Sequence, residues 1–407
     1  MEIKRCKGSR DLLPQDMIKF RHIEEVFRSC CLGWGYNEVR TPTLEYLHLF
    51  TSVGTLTPSM LSRVYSFLDW DGWSGERVVL RPEVTIPAAR LWVENIRSHP
   101  AKLFYVENIF SFEETGRESR ERWQCGAELI GSPRATADVE LVLLALEIFK
   151  KLGLKPELYL SHAGLIRDLL EELGLEPQEQ SQVFDQILDG NTRVLREVVG
   201  SKIQLGDSLP LLFELKGKSP GFLRNLKASL AKALPKFELS LNNFLDIVEH
   251  LTNMRCEYQI DIASGRGFEY YTGVLFQFYL QGQKVGGGGR YDELIPLLGG
   301  GNIPASGFAL YVDQLMDFFP LKDVPKRVLV KSEISTTEGW KQAFEVASSL
   351  REAGYVAEID PGYKEKTDHK WILRIGEGAL LLTDQTLGKE IKASSIADLL
   401  KALADTK

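Results

Sequence analysis

The chain has 407 residues, 44% of them hydrophobic and 26% charged, which is the balance of a globular protein with two or three domains. Its net charge of −7 gives no overall basic field that would attract nucleic acid. No apolar stretch follows the basic residues at the amino terminus, so a signal peptide is not expected. The apolar run at 141–149 is far shorter than the ~20 residues that a membrane span needs. The five cysteines show neither CxxC spacing nor nearby paired histidines, which argues against a metal site and favours reduced thiols in the cytoplasm.

The first predicted element is an amphipathic helix that Pro14 opens, because proline suits the first helical position. Five apolar residues fall on one face of it at helical spacing: Phe20, Ile23, Phe27, Cys30 and Cys31. Glycines at 33 and 35 end the helix, and the extended segment YNEVRTPTLEY follows. Two strands are then predicted at 103–112 and 123–131, joined by the polar loop EETGRESRER.

The middle of the chain is predicted to change from helix to strand. A strong amphipathic helix is expected from about Asp138 to Leu152, and nearly all of 162–251 has a helical pattern. Strand signals return in CEYQIDI, FEYYTGVLFQFYL and QKVGG, and the turn Gln281-Gly282-Gln283 makes a hairpin of the last two.

After Pro325 short strands and helices alternate to the end of the chain, which predicts a small α/β domain. We therefore expect a core domain at 1–325, with a helical insertion at about 162–254, and a second domain at 326–407.

The densest glycine stretch is VGGGGRYDELIPLLGGG, at 285–301. A phosphate-binding P-loop needs GxxxxGK followed by Ser or Thr, and the glycines here are followed by Arg290-Tyr291-Asp292. A dinucleotide-binding loop needs a βαβ unit, whereas the flanking segments predict an antiparallel hairpin. Two interpretations remain on spacing alone: a bulged bend in a sheet, or a strand that lets a ligand approach its backbone.

Several separated motifs, in this order along the chain, resemble the core of class II aminoacyl-tRNA synthetases and specifically histidyl-tRNA synthetases. They are GSRDLLP, LRPEVTIPAAR, GRGFEYYTGVLFQF, GGGGRYDELIPLLGG and PASGFALYVDQL, and the resemblance covers about residues 8–319. It implies an α+β fold with an antiparallel sheet core and a helical insertion, and a small C-terminal α/β domain similar to an anticodon-binding domain. It also implies a homodimer built across the region around Arg40 to Pro42, and glycines that line an amino-acid pocket.

The same resemblance implies a histidine-binding set. Its members match synthetase positions that face the amino acid: Glu83, Thr85, Gln124, Glu128, Arg266, Tyr270 and Tyr271. A zwitterion bearing an imidazole requires an acid for its ammonium, a cation near its carboxylate and polar or aromatic walls for its ring, and this set supplies all three. Each residue also has a structural alternative: a helix-capping acid for Glu83, sheet packing for Tyr270, and a structural ion pair for Arg266.

The chain departs from the synthetase pattern where ATP would bind. Ser111 and Gln314 stand where the pattern has arginines, and Tyr311 replaces a glycine that would leave room for the nucleotide. Losing two charge-assisted contacts of about 2–4 kcal/mol each raises the activation barrier by roughly 4–8 kcal/mol, on the order of a thousand- to a million-fold in rate. Three loop arginines could compensate, although such residues are commonly solvated: Arg117, Arg120 and Arg122. No catalytic residue is therefore assigned.

A synthetase-like body with a histidine pocket and without the ATP arginines is similar to one known family, the regulatory subunits of ATP phosphoribosyltransferase. The resemblance implies a noncatalytic subunit that associates with a short-form catalytic subunit in a hetero-oligomer. That complex performs the first step of histidine biosynthesis under feedback control by L-histidine. No cofactor, metal or membrane is expected. No tRNA is expected either, since the segment 326–407 carries 13 Lys plus Arg and 13 Asp plus Glu and thus lacks a net basic footprint.

Two alternatives stay open: an active histidyl-tRNA synthetase, and a histidine-binding paralogue with another partner. The sequence also leaves open the stoichiometry of the complex, and whether feedback histidine binds this pocket or a subunit interface.

Overall fold

The computed structural model describes residues 4–53, 61, 63–69, 75–112, 119–172, 174–176, 179–180, 183, 186, 216–230, 237–262, 270–319, 326–360, 362, 369–376 and 378–405. The chain divides into two compact units, Met1–Phe319 and Pro320–Lys407. Two positions that the sequence analysis singled out lie outside the described residues: Arg117 and Arg266.

A nine-stranded sheet forms the centre of the first unit. The strands of this unit in chain order are β1 (Asn37–Glu38), β2 (Leu44–Tyr46), β3 (Ser66–Leu68), β4 (Arg77–Leu80), β5 (Ala101–Phe110), β6 (Glu121–Ile130), β7 (Glu157–His162), β8 (Lys216–Gly217), β9 (Gln259–Asp261), β10 (Val274–Leu280), β11 (Gln283–Arg290) and β12 (Ala305–Tyr311). The large sheet has the order β1-β5-β6-β12-β11-β10-β7-β9-β8, and β2-β4-β3 form a separate small sheet. Pairing is antiparallel from β5 through to β7, whereas β1 joins β5 and β9 joins β7 in parallel. The expected α+β fold with an antiparallel core is confirmed, with parallel strands added near both ends.

Helices pack against both faces of the large sheet. In chain order the helices of this unit are α1 (Pro14–Gly33), α2 (Leu47–Thr51), α3 (Thr85–Leu91), α4 (Ala135–Lys151), α5 (Ala163–Glu172), α6 (Pro220–Leu230), α7 (Phe237–Asn253), α8 (Leu294–Leu297) and α9 (Val312–Phe318). Helix α1 buries the five residues that its spacing predicts, so that prediction is confirmed. Apolar side chains of α1, α4 and α7 share one core with Phe104 of β5, Cys125 of β6 and Phe308 of β12. In the described residues no helix combines the length and apolar character needed to cross a lipid bilayer.

The predicted central hairpin and the predicted strands before it are present. Strands β10 and β11 are joined by Gln281 and Gly282, whose φ angles of 50° and 81° are those that tight two-residue hairpins require. Strands β5 and β6 each begin two residues before the predicted starts at 103 and 123. The predicted helical stretch contains α5, α6 and α7 and also the two-residue strand β8, while 187–215 lie outside the described residues.

The second unit alternates strand and helix, as the sequence predicts. Its elements are β13 (Arg327–Ser332), α10 (Thr337–Glu352), β14 (Val356–Ile359), β15 (Trp371–Gly376), β16 (Ala379–Asp384), β17 (Lys389–Ala393) and α11 (Ile396–Asp405). The sheet order is β14-β13-β15-β16-β17. Helix α10 begins at a threonine cap, because the hydroxyl of Thr336 accepts the Gly339 N–H at 3.3 Å. The core of this unit forms between that helix and the sheet, around Val330, Leu350 and Trp371.

Candidate functional site

On the sheet face opposite the α1 core, a row of paired positions crosses five strands and has small residues at its centre. Side chains along a strand alternate between the two faces of a sheet. The residues on this face are therefore those that alternate with the residues packed on α1 and α4. We call one set of paired positions the middle row: Tyr105, Gly126, Ala309, Gly287 and Gln277. Its three central members carry a methyl group or no side chain. Ala309, Gly287 and Gln277 of this row form the floor of a pocket, with an empty space of about 550 Å³ including its open mouth.

A second set of paired positions lies one step deeper, and we call it the inner row: Leu103, Glu128, Gly307, Gly289 and Leu275. Glu128 is 1% exposed. A Cβ atom on Gly307 would overlap the Oε2 atom of Glu128. Glycine at 307 is therefore what allows a carboxylate to lie against the sheet at the inner end of the pocket.

Three hydroxyl groups hold the Glu128 carboxylate. Its Oε1 accepts the Thr85 hydroxyl at 2.9 Å and the Tyr105 hydroxyl at 3.2 Å, and its Oε2 accepts the Tyr291 hydroxyl. Burial raises the pKa of Glu128 to about 7, and these hydrogen bonds oppose the shift. Near neutral pH the group can therefore accept or donate a hydrogen bond, which suits an imidazole ring that can do either.

Glu83 has two roles in the structure. Its carboxylate caps the first turn of α3, since Oε2 accepts the Thr85 N–H and Oε1 accepts the Ile86 N–H, both at 2.8 Å. The same side chain lines the pocket, and each oxygen retains a second acceptor site for a ligand. Burial raises the pKa of Glu83 to about 8, and the nearby Glu128 carboxylate contributes in the same direction. The helix-capping alternative is thus observed together with a position facing the pocket.

Aromatic rings form one wall of the pocket. The ring centroids of Tyr270 and Tyr271 lie 5.1 Å apart, and Tyr270 meets Tyr291 edge to face at 5.6 Å. Burial raises the pKa of all three hydroxyls well above their ordinary value, so they are neutral donors at physiological pH. Such a wall suits a flat, partly polar ring.

The structure brings together most of the residues that the sequence predicts for the site. Five of them line the pocket: Glu83, Thr85, Gln124, Tyr270 and Tyr271. Glu128 lies one layer behind and bonds to Thr85, whereas Arg266 lies outside the described residues.

Sequence reasoning missed four contributors: Tyr105, Lys284, Tyr291 and Gly307. Tyr291 lies two residues after the glycine run 286–289, but the sequence alone does not indicate its hydrogen bond to Glu128. Tyr105 occupies the space that a side chain at Gly126 would fill. That relation appears only once the register of β5 and β6 is known.

The structure also describes the three positions that the resemblance expects to face ATP. Tyr311 lies opposite Gln124 and lines the pocket. Ser111 follows β5 and its N–H donates to the Arg120 carbonyl at 3.0 Å, while Gln314 lies in the short helix α9. The Arg120 guanidinium lies 5.0 Å from the centroid of the Phe112 ring. Among the described residues there is no group of three or more histidine, cysteine or acidic side chains that could hold a metal ion.

Comparison with known proteins places this geometry in a family. The model of the histidyl-tRNA synthetase family matches residues 8–315. The chain is 52% identical over 363 residues to the ATP phosphoribosyltransferase regulatory subunit of Dehalococcoides mccartyi, covering 88% of this chain and 87% of that protein. The chain belongs to the ATP phosphoribosyltransferase regulatory subunits. That family was expected from the sequence motifs together with the residues that replace the ATP arginines, and the expectation is confirmed.

These regulatory subunits share their fold with histidyl-tRNA synthetases. The histidine–tRNA ligase of Methanosarcina acetivorans is 33% identical over 420 residues, covering 96% of each chain. A solved structure from Bacillus halodurans C, described as an ATP phosphoribosyltransferase regulatory subunit/histidyl-tRNA synthetase, superposes with a TM-score of 0.78 at 25% identity, covering 90% of this chain and 95% of that one. The identity to the Dehalococcoides regulatory subunit is thus higher than the identity to the Methanosarcina histidine–tRNA ligase.

Proposed function

We propose that this chain is the noncatalytic regulatory subunit of a cytoplasmic ATP phosphoribosyltransferase. In this role it associates, as a homodimer within a hetero-oligomer, with a short-form catalytic subunit that joins ATP to phosphoribosyl pyrophosphate in the first step of L-histidine biosynthesis. One observation carries the proposal. The two buried acids and the aromatic wall of an amino-acid pocket are present, while Ser111, Tyr311 and Gln314 occupy the positions that would face ATP.

The proposed ligand of the pocket is L-histidine. Its ammonium group pairs with Glu83, its ring lies against Tyr270 and Tyr271, and the Thr85–Glu128 pair meets a ring nitrogen. A pocket that binds the end product without transforming it supplies what a feedback sensor requires, which is a different affinity for histidine in two states of the complex. The chain itself needs no cofactor and no tRNA in this role.

The homodimer has support in the surface around the predicted dimer segment at Arg40 to Pro42. Strand β2 follows that segment directly, and its Leu44 and Tyr46 are 49% and 42% exposed. In the small sheet Tyr46 and Phe67 pair with the same residue, Val78, so they share one face. Contiguous exposed apolar side chains of this kind mark a protein–protein contact.

Reconstitution with a short-form catalytic subunit tests the regulatory role. We expect the catalytic subunit alone to be weakly active, addition of this chain to raise its turnover, and L-histidine to inhibit the complex. In calorimetry Glu83→Gln should weaken histidine binding by about ten- to a hundredfold, because the ammonium of the ligand favours the ionised form of Glu83 and glutamine cannot supply that charge. The matched control is Glu338→Gln, whose side chain is 82% exposed in the second unit, and it should change nothing. Two chains that elute separately with unchanged activity would contradict the partner assignment.

Pyrophosphate exchange tests the absence of catalysis. The purified chain should not catalyse histidine-dependent exchange of pyrophosphate into ATP, because two arginines that would offset phosphate charge are absent at 111 and 314. Exchange at the rate of a synthetase would establish an active histidyl-tRNA synthetase. Histidine binding without any effect on the phosphoribosyltransferase would instead indicate a paralogue with another partner.

A further inference from the structure

The pocket has a cation at its mouth that no family motif pointed to. The outermost positions of this face form what we call the outer row: Glu107, Gln124 and Tyr311, which pair across β5, β6 and β12, and Lys284 and Tyr279, which pair across β11 and β10. Lys284 enters this row because the β10–β11 register shifts between Phe278 and Tyr279, which pairs Lys284 with Tyr279. Its side chain lines the same pocket as Glu83 and Gln124.

The stem of Lys284 lies along the pocket floor. A Cβ atom on Gly287 would lie 3.5 Å from the Lys284 Cε atom, so the lysine passes over the glycine where a larger residue would fill the space. The alkyl stem of a lysine packs on such a surface while its ammonium remains near water. The geometry therefore places a positive charge above the middle row, at the mouth of the pocket.

Acidic side chains thus lie at one end of the pocket and a lysine at the other. Glu128 lies in the inner row, with Glu83 beside it at the start of α3, and Lys284 lies in the outer row. A free amino acid has the matching polarity, because its ammonium and carboxylate are separate charges.

We propose that Lys284 binds the carboxylate of the amino-acid ligand and makes the pocket select a free amino acid over the corresponding amine. This inference rests on the proposed function, in which the pocket takes L-histidine. It assigns the carboxylate contact to a residue on β11, next to the glycine stretch, and gives the Lys284–Gly287 arrangement a role.

Calorimetry with two ligands isolates this contact. L-Histidine and histamine share the ring and the ammonium group, and only histidine has the carboxylate. For Lys284→Met we expect histidine affinity to fall by about ten- to a hundredfold and histamine affinity to stay within about twofold, because only the first ligand loses a charge-assisted contact. Lys284→Arg should recover most of the histidine affinity, since it restores the cation. Arg122→Met is the matched control, because Arg122 lies on the same strand face as Gln124, one step outward, and outside the pocket lining.

The other outcomes each overturn a different statement. If Lys284→Met weakens both ligands equally, the lysine only supports the pocket structure. If it weakens neither, another cation such as Arg266 binds the carboxylate. If Arg122→Met has the larger effect, Arg122 binds it. If the unmodified chain binds no histidine at about 10 mM, where even a very weak site would be filled, the proposed ligand fails and this inference fails with it. A chain that binds histidine but leaves the phosphoribosyltransferase unaffected would overturn the regulatory role alone.

Discussion

Gly307 and Glu128 are the residues whose packing defines the inner end of the pocket. They are paired across β12 and β6, and the Glu128 carboxylate occupies the space that a Cβ atom at 307 would need. The carboxylate is also held by hydroxyls from three elements, so it has little freedom to move away. A single methyl group at 307 therefore disturbs the whole group of hydrogen bonds.

Gly307→Ala tests this packing. We expect a loss of about 1–3 kcal/mol in the free energy of unfolding, since the added methyl group overpacks a dense interior, together with weaker histidine binding. Chemical denaturation and calorimetry measure the two effects. Gly33→Ala is the control, because a Cβ atom at the end of α1 meets nothing within 4 Å, and it should stay within about 0.5 kcal/mol. Unchanged stability of Gly307→Ala would show that Glu128 can move at little cost.

The protonation of Glu83 predicts how stability depends on pH. Burial raises its pKa from the ordinary 4.5 to about 8, so the folded chain binds this proton more tightly than the unfolded chain does. The stabilisation is fully present below about pH 4.5 and is lost as the pH rises through about 8. Glu128, with its pKa raised to about 7, acts in the same direction.

Comparison of the unmodified chain with Glu83→Gln isolates this effect. Glutamine resembles the protonated acid but does not titrate. As the pH rises from about 5 to about 9, the unmodified chain should therefore lose on the order of a few kcal/mol of unfolding free energy relative to Glu83→Gln. Denaturant unfolding without ligand measures it at each pH. A difference that stays constant over this range would mean that Glu83 is ionised throughout.

At the scale of elements, one buried polar network joins the segment before β2 to strands β4 and β5. Arg81 follows β4, is 3% exposed and pairs with Glu107 of β5. Its Nε donates to the Asn108 carbonyl at 2.8 Å. The backbone N–H and the hydroxyl of Thr41 donate to Glu107 at 2.6 and 2.7 Å. The predicted dimer segment is thereby fixed to the sheet that carries the pocket.

Glu107→Gln should destabilise the chain by about 3–5 kcal/mol, because it leaves the Arg81 charge buried without its counter-ion. Denaturant unfolding measures the change. Glu257→Gln is the matched control. It removes one carboxylate from an ion pair with Lys155 in which both side chains are about 80% exposed, and it should produce no measurable change. Equal effects of the two substitutions would mean that the Arg81 charge is compensated by its neighbours.

At the scale of the whole molecule, the exposed face of the small sheet predicts self-association. Phe67 is 46% exposed beside Tyr46, and a charge there would be desolvated in a dimer contact. Phe67→Glu should therefore convert a dimer to monomers in analytical ultracentrifugation at micromolar concentration. Phe344→Glu is the control, since Phe344 is 57% exposed on α10 of the second unit and should leave the dimer unchanged. A monomeric unmodified chain would contradict the expected dimer.

The sequence by itself determined the helices and strands whose periodicity is strong, and the family. Helix α1 has five apolar residues at helical spacing between a proline and a glycine, and this pattern determines which face of the helix is buried. The hairpin β10–β11 follows from the strand signals on either side of Gln281 and Gly282. Motif order indicated histidyl-tRNA synthetases, and the residues that replace the ATP arginines indicated the regulatory subunits. The motifs also contained five residues that line the pocket.

Only the tertiary structure decided how the pocket is built. Whether Gly307 makes room for Glu128, and whether Lys284 lies over Gly287, depends on the register between strands that are far apart in the chain. The register shift after Phe278 is set by packing on both sheet faces, and no local pattern predicts it. The capping role of Glu83 likewise needed the start of α3 beside the pocket. Residue types could be read from the sequence, but their distances depend on which strands become neighbours.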